Sequence, residues 1–336
     1  MIKKNQVTIN DVAKAAGVSP STVSRVITDN PRISSATKDK VLKQMKILGY
    51  HPNAIARSLA KNKTGNIGII MPSRSEDVFL NPFFPEALRG ITRSAANNGY
   101  DLLLSTNLGL EDEVKSIKNL INSSKVDGIV LMSSKIDDES INYLSSNDFP
   151  FVLIGSPYDK KSGINHVDND NFMAAYELTN YLTSMGKKNI AMIAGDPSLM
   201  VTRDRIRGYK KSIEDSKLEF NKNNLFIGGF EEETGYKYAR KLLELDKRPD
   251  ALVVTDDLVA FGAIQIFESQ NIKIPKDIAI VSFNNSILSR YSQKPFTSVD
   301  VNAFDLGLES INIVVKAIEK GLKNQKKIIP YKIHKR

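Results

Sequence analysis

Apolar positions change their period near residue 66. Before it they recur at helical spacing in short runs. Val12, Ala13 and Ala16 follow a Thr8-x-x-Asp11 start, a capping-box signature in which the threonine accepts from an early helix amide and the aspartate favours the positive helix end. Gly17 stops that helix at a residue that tolerates positive φ, and Ser19-Pro20 supplies an N-cap and a first-turn proline for a second helix. There Val23, Val26 and Ile27 form the inward stripe and leave Pro20, Ser21, Ser24 and Arg25 outward. Two helices so closely joined have helix-turn-helix geometry, with the outward residues free to enter a major groove. The local pattern also fits an ordinary helical hairpin in a core.

A third helix is expected from about Ser35 to Leu48, capped by Ser35, with Val41, Leu42, Met45 and Leu48 buried and Gly49 as its stop. Pro52 then opens NAIARSLAKNKTG, where Ala54, Ile55, Ala56, Leu59 and Ala60 suffice for two helical turns. Isolated helices under about 12 residues rarely persist, so this one needs a partner to form. Lys61 to Gly65 is polar and marks the domain boundary. The expected organisation is a headpiece at 1–50, a hinge and linker at 51–65, and a core at 66–336.

From Ile67 the pattern becomes continuous apolar runs alternating with amphipathic stretches. The runs lie at 67–70, 102–104, 128–131 and 151–154, then at 190–193, 225–227, 251–254 and 278–281. Helical stretches between them include 85–98, 111–123, 172–185 and 258–270. Apolar strands spaced by helices mean parallel sheets covered on both faces. The two sets of runs make two similar α/β halves, expected at about 66–163 with 302–320 and at about 164–290, the helix at 303–320 returning to the first half. In such sheets ligands lie beyond the carboxyl ends of strands, where this chain carries Ser73, Gly155-Ser156, Asp196, Asp256-Asp257 and Asn284-Asn285. Such carboxylates, amides and hydroxyls suit a polyhydroxylated ligand. Asp256-Asp257 also admits a catalytic or metal-pair reading, but a helix cap beside a ligand acceptor is the simpler one.

Charge sharpens the picture. Residues 1–63 hold 12 Lys+Arg against 3 Asp+Glu, a net of +9 that equals the net of the whole chain. A basic footprint confined to the first fifth suits phosphate contacts, whose strength comes from counterion release. The absence of cysteine excludes disulfides and thiolate chemistry, and three scattered histidines (His51, His166, His334) argue against a zinc site. No Gly-x-Gly-x-x-Gly follows a strand, no Walker loop occurs, and no apolar stretch reaches membrane-spanning length. The expectation is a cytoplasmic protein without cofactor, metal or catalytic residues.

These motifs together resemble the lactose/galactose repressor (LacI/GalR) family of bacterial transcription regulators. TINDVAKAAGVSPSTVSRVI is similar to its headpiece signature, GYHPNAIARSLA to its hinge helix, and IGIIMPS with VDGIVLM to its core. The resemblance covers essentially the whole chain. It implies an N-terminal all-α helix-turn-helix headpiece plus an α/β periplasmic-binding-protein-like core of two doubly wound parallel-sheet subdomains. Asn81 to Ile91 and Val281 to Ser286 look most like members that control maltose operons in low-GC Gram-positive bacteria.

The resemblance also implies roles. Pro20, Ser21 and Arg25 match positions that read base edges, where an arginine can fork onto guanine. Thr8, Ser19, Thr22, Ser24 and Asn53 match phosphate-positioning or supporting sites, and Leu59 matches a leucine wedged into the minor groove. Arg205, three residues before Gly208, matches a ligand-clamping arginine. Asp256 and Asn284 match polar effector contacts, Phe83 and Phe84 a pocket wall, and Phe230 a stacking aromatic; Ser73 joins this effector set. Two departures matter. Asn284 stands where many members carry Asp, and Val301 replaces a polar residue that the lactose-responsive member uses. The implied protein is a homodimeric repressor of sugar-utilisation genes, released from a palindromic double-stranded operator by maltose or a maltooligosaccharide. Its rivals are a global carbon-catabolite regulator with a phosphorylated carrier protein as corepressor, a transporter's solute-binding protein, and an enzyme on the same scaffold.

Overall fold

The computed structural model describes residues 7–50, 63–72, 78–105, 110–159, 163–291 and 296–336. Two compact units are present: residues up to Gly65 together with Ser124–Asp127, and the remainder.

The first unit holds α1 (Ile9–Ala16), α2 (Pro20–Ile27) and α3 (Ser35–Leu48) around a core of Val12, Ala13, Ala16, Val23, Val26 and Val41. Thr8 and Asp11 form the reciprocal capping box, and Gly17 ends α1 at φ 61°. Two expectations for α3 need correction. Its cap is Ser34, whose hydroxyl accepts from the Thr37 amide, one residue earlier than Ser35. Leu42 is 51 % exposed, because α3 faces the core with the side that carries Val41, Met45 and Leu48, and Leu42 lies about 100° around the helix from Val41. Asp127 accepts from the Thr64 amide and hydroxyl at 2.7 and 2.9 Å and from the Gly65 amide at 2.8 Å.

The second unit runs β1 (Asn66–Ile70), α4 (Phe83–Asn97), β2 (Asp101–Ser105), α5 (Leu110–Asn122), β3 (Gly128–Leu131), α6 (Glu139–Ser146), β4 (Phe151–Ile154) and β5 (His166–Asp168). It continues with α7 (Asn171–Ser184), β6 (Ile190–Ala194), α8 (Met200–Asp215), β7 (Leu225–Ile227), α9 (Glu232–Leu243), β8 (Ala251–Val254), α10 (Asp257–Ser269) and β9 (Ala279–Phe283). The last elements are α11 (Ile287–Tyr291), β10 (Thr297–Asp300), α12 (Ala303–Lys320), β11 (Lys326–Ile328) and β12 (Lys332–His334). One sheet has the order β11-β5-β4-β3-β1-β2 and is parallel throughout; the other, β12-β10-β9-β8-β6-β7, is parallel except for β12. Both are doubly wound, with apolar central strands buried on both faces.

Sheet membership departs from the expected division of the halves. β5, beyond residue 163, belongs to the first sheet with β11, while β10 and β12, beyond residue 290, belong to the second. These strands are three or four residues long and polar or lysine-rich, so they carry no apolar run to announce them. The chain therefore crosses between lobes three times. Asn169, in the first crossing, donates both amide hydrogens to the carbonyls of Val301 and Ile329 in the other two, at 3.0 and 2.9 Å. Helix pairs flank the sheets at close range: a Cβ on Gly90 would stand 1.9 Å from the Phe304 carbonyl oxygen of α12, and one on Gly208 would stand 2.1 Å from that of Phe172 in α7. Among the described residues no helix is long and apolar enough to cross a membrane.

Candidate functional site

On the headpiece, the start of α2 fixes which groups face outward. Ser19 Oγ accepts from the Thr22 amide at 3.2 Å and lies 2.8 Å from Ser21 Oγ and 2.9 Å from Thr22 Oγ1. Burying Val23 and Val26 forces Pro20, Ser21 and Arg25 to the exposed face, with Thr22 and Ser24 half-exposed beside them. Thr8 stands exposed at the start of α1. These six α2-associated positions and Thr8 thus share one unit, whereas Asn53 and Leu59 lie outside the described residues, as does Ser73 in the core.

Between the two lobes a buried polar cluster is built from the carboxyl ends of β5, β8 and β9. Arg205 projects from α8 and is 5 % exposed. Its Nη1 donates to the Thr255 carbonyl at 2.7 Å and its Nε to Asn171 Oδ1 at 3.1 Å, while the guanidinium carbon sits 3.9 Å from the centroid of the Phe283 ring. Asn171 in turn donates to Asp168 Oδ1 at 2.9 Å. The planar guanidinium is thereby fixed along one edge and stacked on one face, and among the described residues its other N–H groups meet no acceptor.

Asp256 begins α10 as its N-cap, Oδ1 accepting from the Leu258 amide at 2.8 Å. Its other oxygen, Oδ2, accepts from Asn284 Nδ2 and from Asn81 Nδ2, each at 2.7 Å. Asn81 belongs to the opposite lobe. Its Oδ1 takes the Phe83 amide at 3.0 Å, which turns the NH2 end toward Asp256. The lobes also meet where the Met200 amide donates to the Ser134 carbonyl at 3.1 Å and the Ile136 amide to the Ser198 carbonyl at 2.9 Å.

Burial dominates the electrostatics. Loss of water raises Asp256 to about 7, reinforced by neighbouring Asp257 and opposed by the Leu258 amide, Asn81 and Arg205. Burial likewise raises Asp168 to about 7, against the Asn169 amide and the Arg205 charge. The same desolvation brings Arg205 down to about 10, Asp256 and then Asp168 holding it up. Asp257, also pushed up by burial, is a structural hub: it accepts from the Ser286 amide at 2.6 Å, from Ser298 Oγ at 2.9 Å and from Ser282 Oγ.

Of the expected effector residues, Arg205, Asp256 and Asn284 converge. Phe83 and Phe84 form an edge-to-face pair, centroids 5.1 Å apart, immediately behind Asn81. Phe230 packs over Gly195, directly beyond β6. Asn81, Asp168, Asn171 and the Phe283 ring complete the cluster, none of them among the effector contacts expected from the sequence. Asn81 heads the Asn-Pro-Phe-Phe run, a polar residue before a helix start, which is the one signal that marks it. A separate pocket of about 170 Å³, lined by Leu242, Arg248, Phe267 and Asp277 among others, lies at the opposite end of the second sheet. Among the described residues no three His, Asp or Glu side chains are placed to hold a metal ion.

A helix-turn-helix unit followed by a two-lobed α/β core with a polar cleft defines a ligand-responsive DNA-binding regulator. Residues 8–53 match the model of bacterial regulatory proteins of the lacI family, and residues 64–336 match that of periplasmic binding proteins and the sugar-binding domain of the LacI family. The chain belongs to the LacI family. It is 37 % identical over 326 residues to the HTH-type transcriptional regulator MalR of Streptococcus pneumoniae, covering 96 % of this chain and 95 % of that one. A LacI-type regulator structure from Bacillus cereus subsp. cytotoxis superposes with a TM-score of 0.79 at 39 % identity, over 81 % of this chain and 96 % of the other. A complex of the transcriptional regulator CelR with cellobiose superposes with a TM-score of 0.77 at 25 % identity over 98 % of both chains. Its membership makes the chain a DNA-binding, sugar-binding transcription regulator of the repressor type.

Proposed function

We propose that this regulator binds a palindromic operator as a homodimer and releases it when maltose or a short maltooligosaccharide enters the interlobe cleft. The observation that carries the sugar reading is the Arg205–Asp256–Asn284 cluster, which offers a stacked planar donor, a shared acceptor and an amide in one buried space. Vicinal hydroxyls each need an acceptor and a donor, and this set supplies both. Similarity to MalR along nearly the whole chain supports a glucose-based disaccharide.

On this reading Pro20, Ser21 and Arg25 read base edges, and Thr8, Ser19, Thr22, Ser24 and Asn53 set register on phosphates. Leu59 wedges the central minor-groove step, and Ser73, Phe83, Phe84 and Phe230 wall the sugar. The sugar hydroxyls take over acceptor capacity on Asp256 that Asn81 and Asn284 now fill, which couples occupancy to the relation of the lobes. Linkage makes the effect reciprocal: a sugar that weakens operator binding is itself bound more weakly by the operator complex, by about 1–3 kcal/mol in typical cases.

The test is a fluorescence-anisotropy titration onto a palindromic operator at fixed salt, with and without maltose. Release by maltose but not by lactose or sucrose is expected. Tight operator binding indifferent to every sugar would overturn the effector assignment and favour a protein corepressor.

A further inference from the structure

The loop that carries Asn284 is held in a conformation its own residues disfavour. Asn284 and Asn285 both have positive φ, 94° and 42°, directly after β9. Consecutive left-handed residues with side chains persist only when their surroundings impose them. For Asn284 the imposed contact is its amide on the Val299 carbonyl at 2.7 Å. Asn285, 2 % exposed, is gripped at every polar atom. Its amide donates to Ser298 Oγ at 2.9 Å, its carbonyl accepts from Arg290 Nε at 3.1 Å, and its Nδ2 donates to Asp300 Oδ2 at 3.3 Å. Its Oδ1 accepts from Arg336 Nη2 at 2.7 Å.

Arg336 comes from far along the chain. β12 pairs antiparallel with β10, and beyond it the Arg336 amide donates to Thr297 Oγ1 at 3.1 Å and Nη1 to the Phe296 carbonyl at 3.3 Å. Its guanidinium therefore bridges the start of β10 to the loop after β9. Arg336 holds Asn285 Oδ1 while Asp300 holds Nδ2, so both ends of the side-chain amide are tied, and the peptide joining Asn284 to Asn285 lies between this anchor and the Val299 carbonyl. Asn284 is then aimed at Asp256, 2.7 Å away.

We infer that Arg336 is a positioning residue for the effector site: it clamps Asn285 and thereby presets Asn284 for the ligand. This rests on the reading of the cleft as the sugar site. Arg336 touches no part of the cleft cluster itself, so its effect reaches the sugar only through Asn285 and Asn284.

The experiment compares wild type, Arg336→Ala and Arg336→Lys in two ways. Amide hydrogen exchange of the segment 283–291 without sugar reads the clamp; calorimetric titration with maltose reads its consequence. Arg336→Ala is expected to speed exchange at 284–286 and to weaken maltose about tenfold, the effect of one charge-assisted hydrogen bond. Sugar-free operator affinity should stay at the wild-type value, and the melting temperature should fall by only a few degrees, about what the loss of one such bond costs. Arg336→Lys, which keeps a donor but not the fork, should recover part of both losses. Unchanged exchange at 284–286 in Arg336→Ala overturns the clamp whatever maltose does, as does accelerated exchange with undiminished maltose affinity. If wild type itself fails to bind maltose, the sugar assignment falls and the exchange comparison still decides the clamp.

Discussion

Asn81 Nδ2 stands 2.7 Å from Asp256 Oδ2, joining residues 175 positions apart across the two lobes. Both are buried, and the Asp256 carboxylate accepts from donors of both lobes. The contact ties helix α4 to the start of α10 through the same oxygen that Asn284 uses. Asn81→Ala removes the only one of these donors that belongs to the first lobe. Because the sugar must displace this bond to reach Asp256, its loss, worth about 0.5–1.5 kcal/mol for a typical hydrogen bond, should raise maltose affinity by several-fold to about tenfold. Calorimetry reads this directly, and an affinity within twofold of wild type would show that Asn81 only fills space.

Arg205→Ala should leave sugar-free operator binding intact and abolish the maltose response in the anisotropy assay. It should also destabilise the fold, since buried Asp168 and Asp256 lose the neighbouring cation that favours their charged forms. Loss of the two charge-assisted hydrogen bonds that Arg205 donates, to Thr255 and Asn171, costs about 1.5–3 kcal/mol each. Here both carboxyls titrate near 7, so the loss is expected to be larger at pH 8, where they are charged, than at pH 6. Equal losses at the two pH values would place the stabilisation in the Phe283 stacking instead.

On the headpiece, Arg25→Ala should erase the preference for operator over scrambled DNA while maltose binding persists. A bidentate base contact discriminates by about 1–3 kcal/mol, and an exposed arginine contributes little to folding. Competition anisotropy with the two duplexes measures it. Undiminished selectivity would assign base reading to Pro20 and Ser21 alone.

Much of the architecture was legible because it is written in local rules. Thr8-x-x-Asp11, Gly17 and Ser19-Pro20 fix α1 and α2 by capping chemistry, and the long apolar runs at Ile67, Gly128, Ile190 and Ala251 fix the central strands. What was not legible depends on residues distant in sequence. The strand His166–Asp168 and the strands Lys326–Ile328 and Lys332–His334 gain their pairing from neighbours already in place, so no local pattern forecasts them. In the cleft, Arg205 and Asp256 were marked by the family motif. The interlobe role of Asn81 has no local mark because its partner lies in the other lobe, and that of Asp168 has none because Asn171 links it to Arg205 only in the fold.

Gly208 tests how the α7–α8 contact supports the site. Gly208→Ala would put a methyl carbon 2.1 Å from the Phe172 carbonyl oxygen, and backbone cannot yield as a side-chain tip does. Overpacking of this kind costs about 1–3 kcal/mol, visible as a lower urea midpoint at unchanged slope. Because α8 also carries Arg205, displacement of the helix should weaken maltose as well. A stability loss without any change in maltose affinity would show that the cleft tolerates movement of α8.

Asp168 gives the fold a pH dependence of defined sign. Its folded value of about 7 exceeds the unfolded 3.8, chiefly through burial, so the folded state holds a proton that the unfolded chain has released. Stability from this group is complete below the unfolded value and is lost as pH rises through about 7. Buried His166 acts in the opposite sense: its folded value is lowered by desolvation, so its contribution grows as pH rises through the ordinary histidine range. Melting curves of wild type alone mix the two. Asp168→Asn removes the first while keeping a side chain that can still accept from the Asn171 and Asn169 N–H groups. Relative to wild type, the variant should therefore gain stability at pH 8 compared with pH 5.5. A difference between the two proteins that is flat across this range would mean that Asp168 is ionised throughout, held so by Arg205.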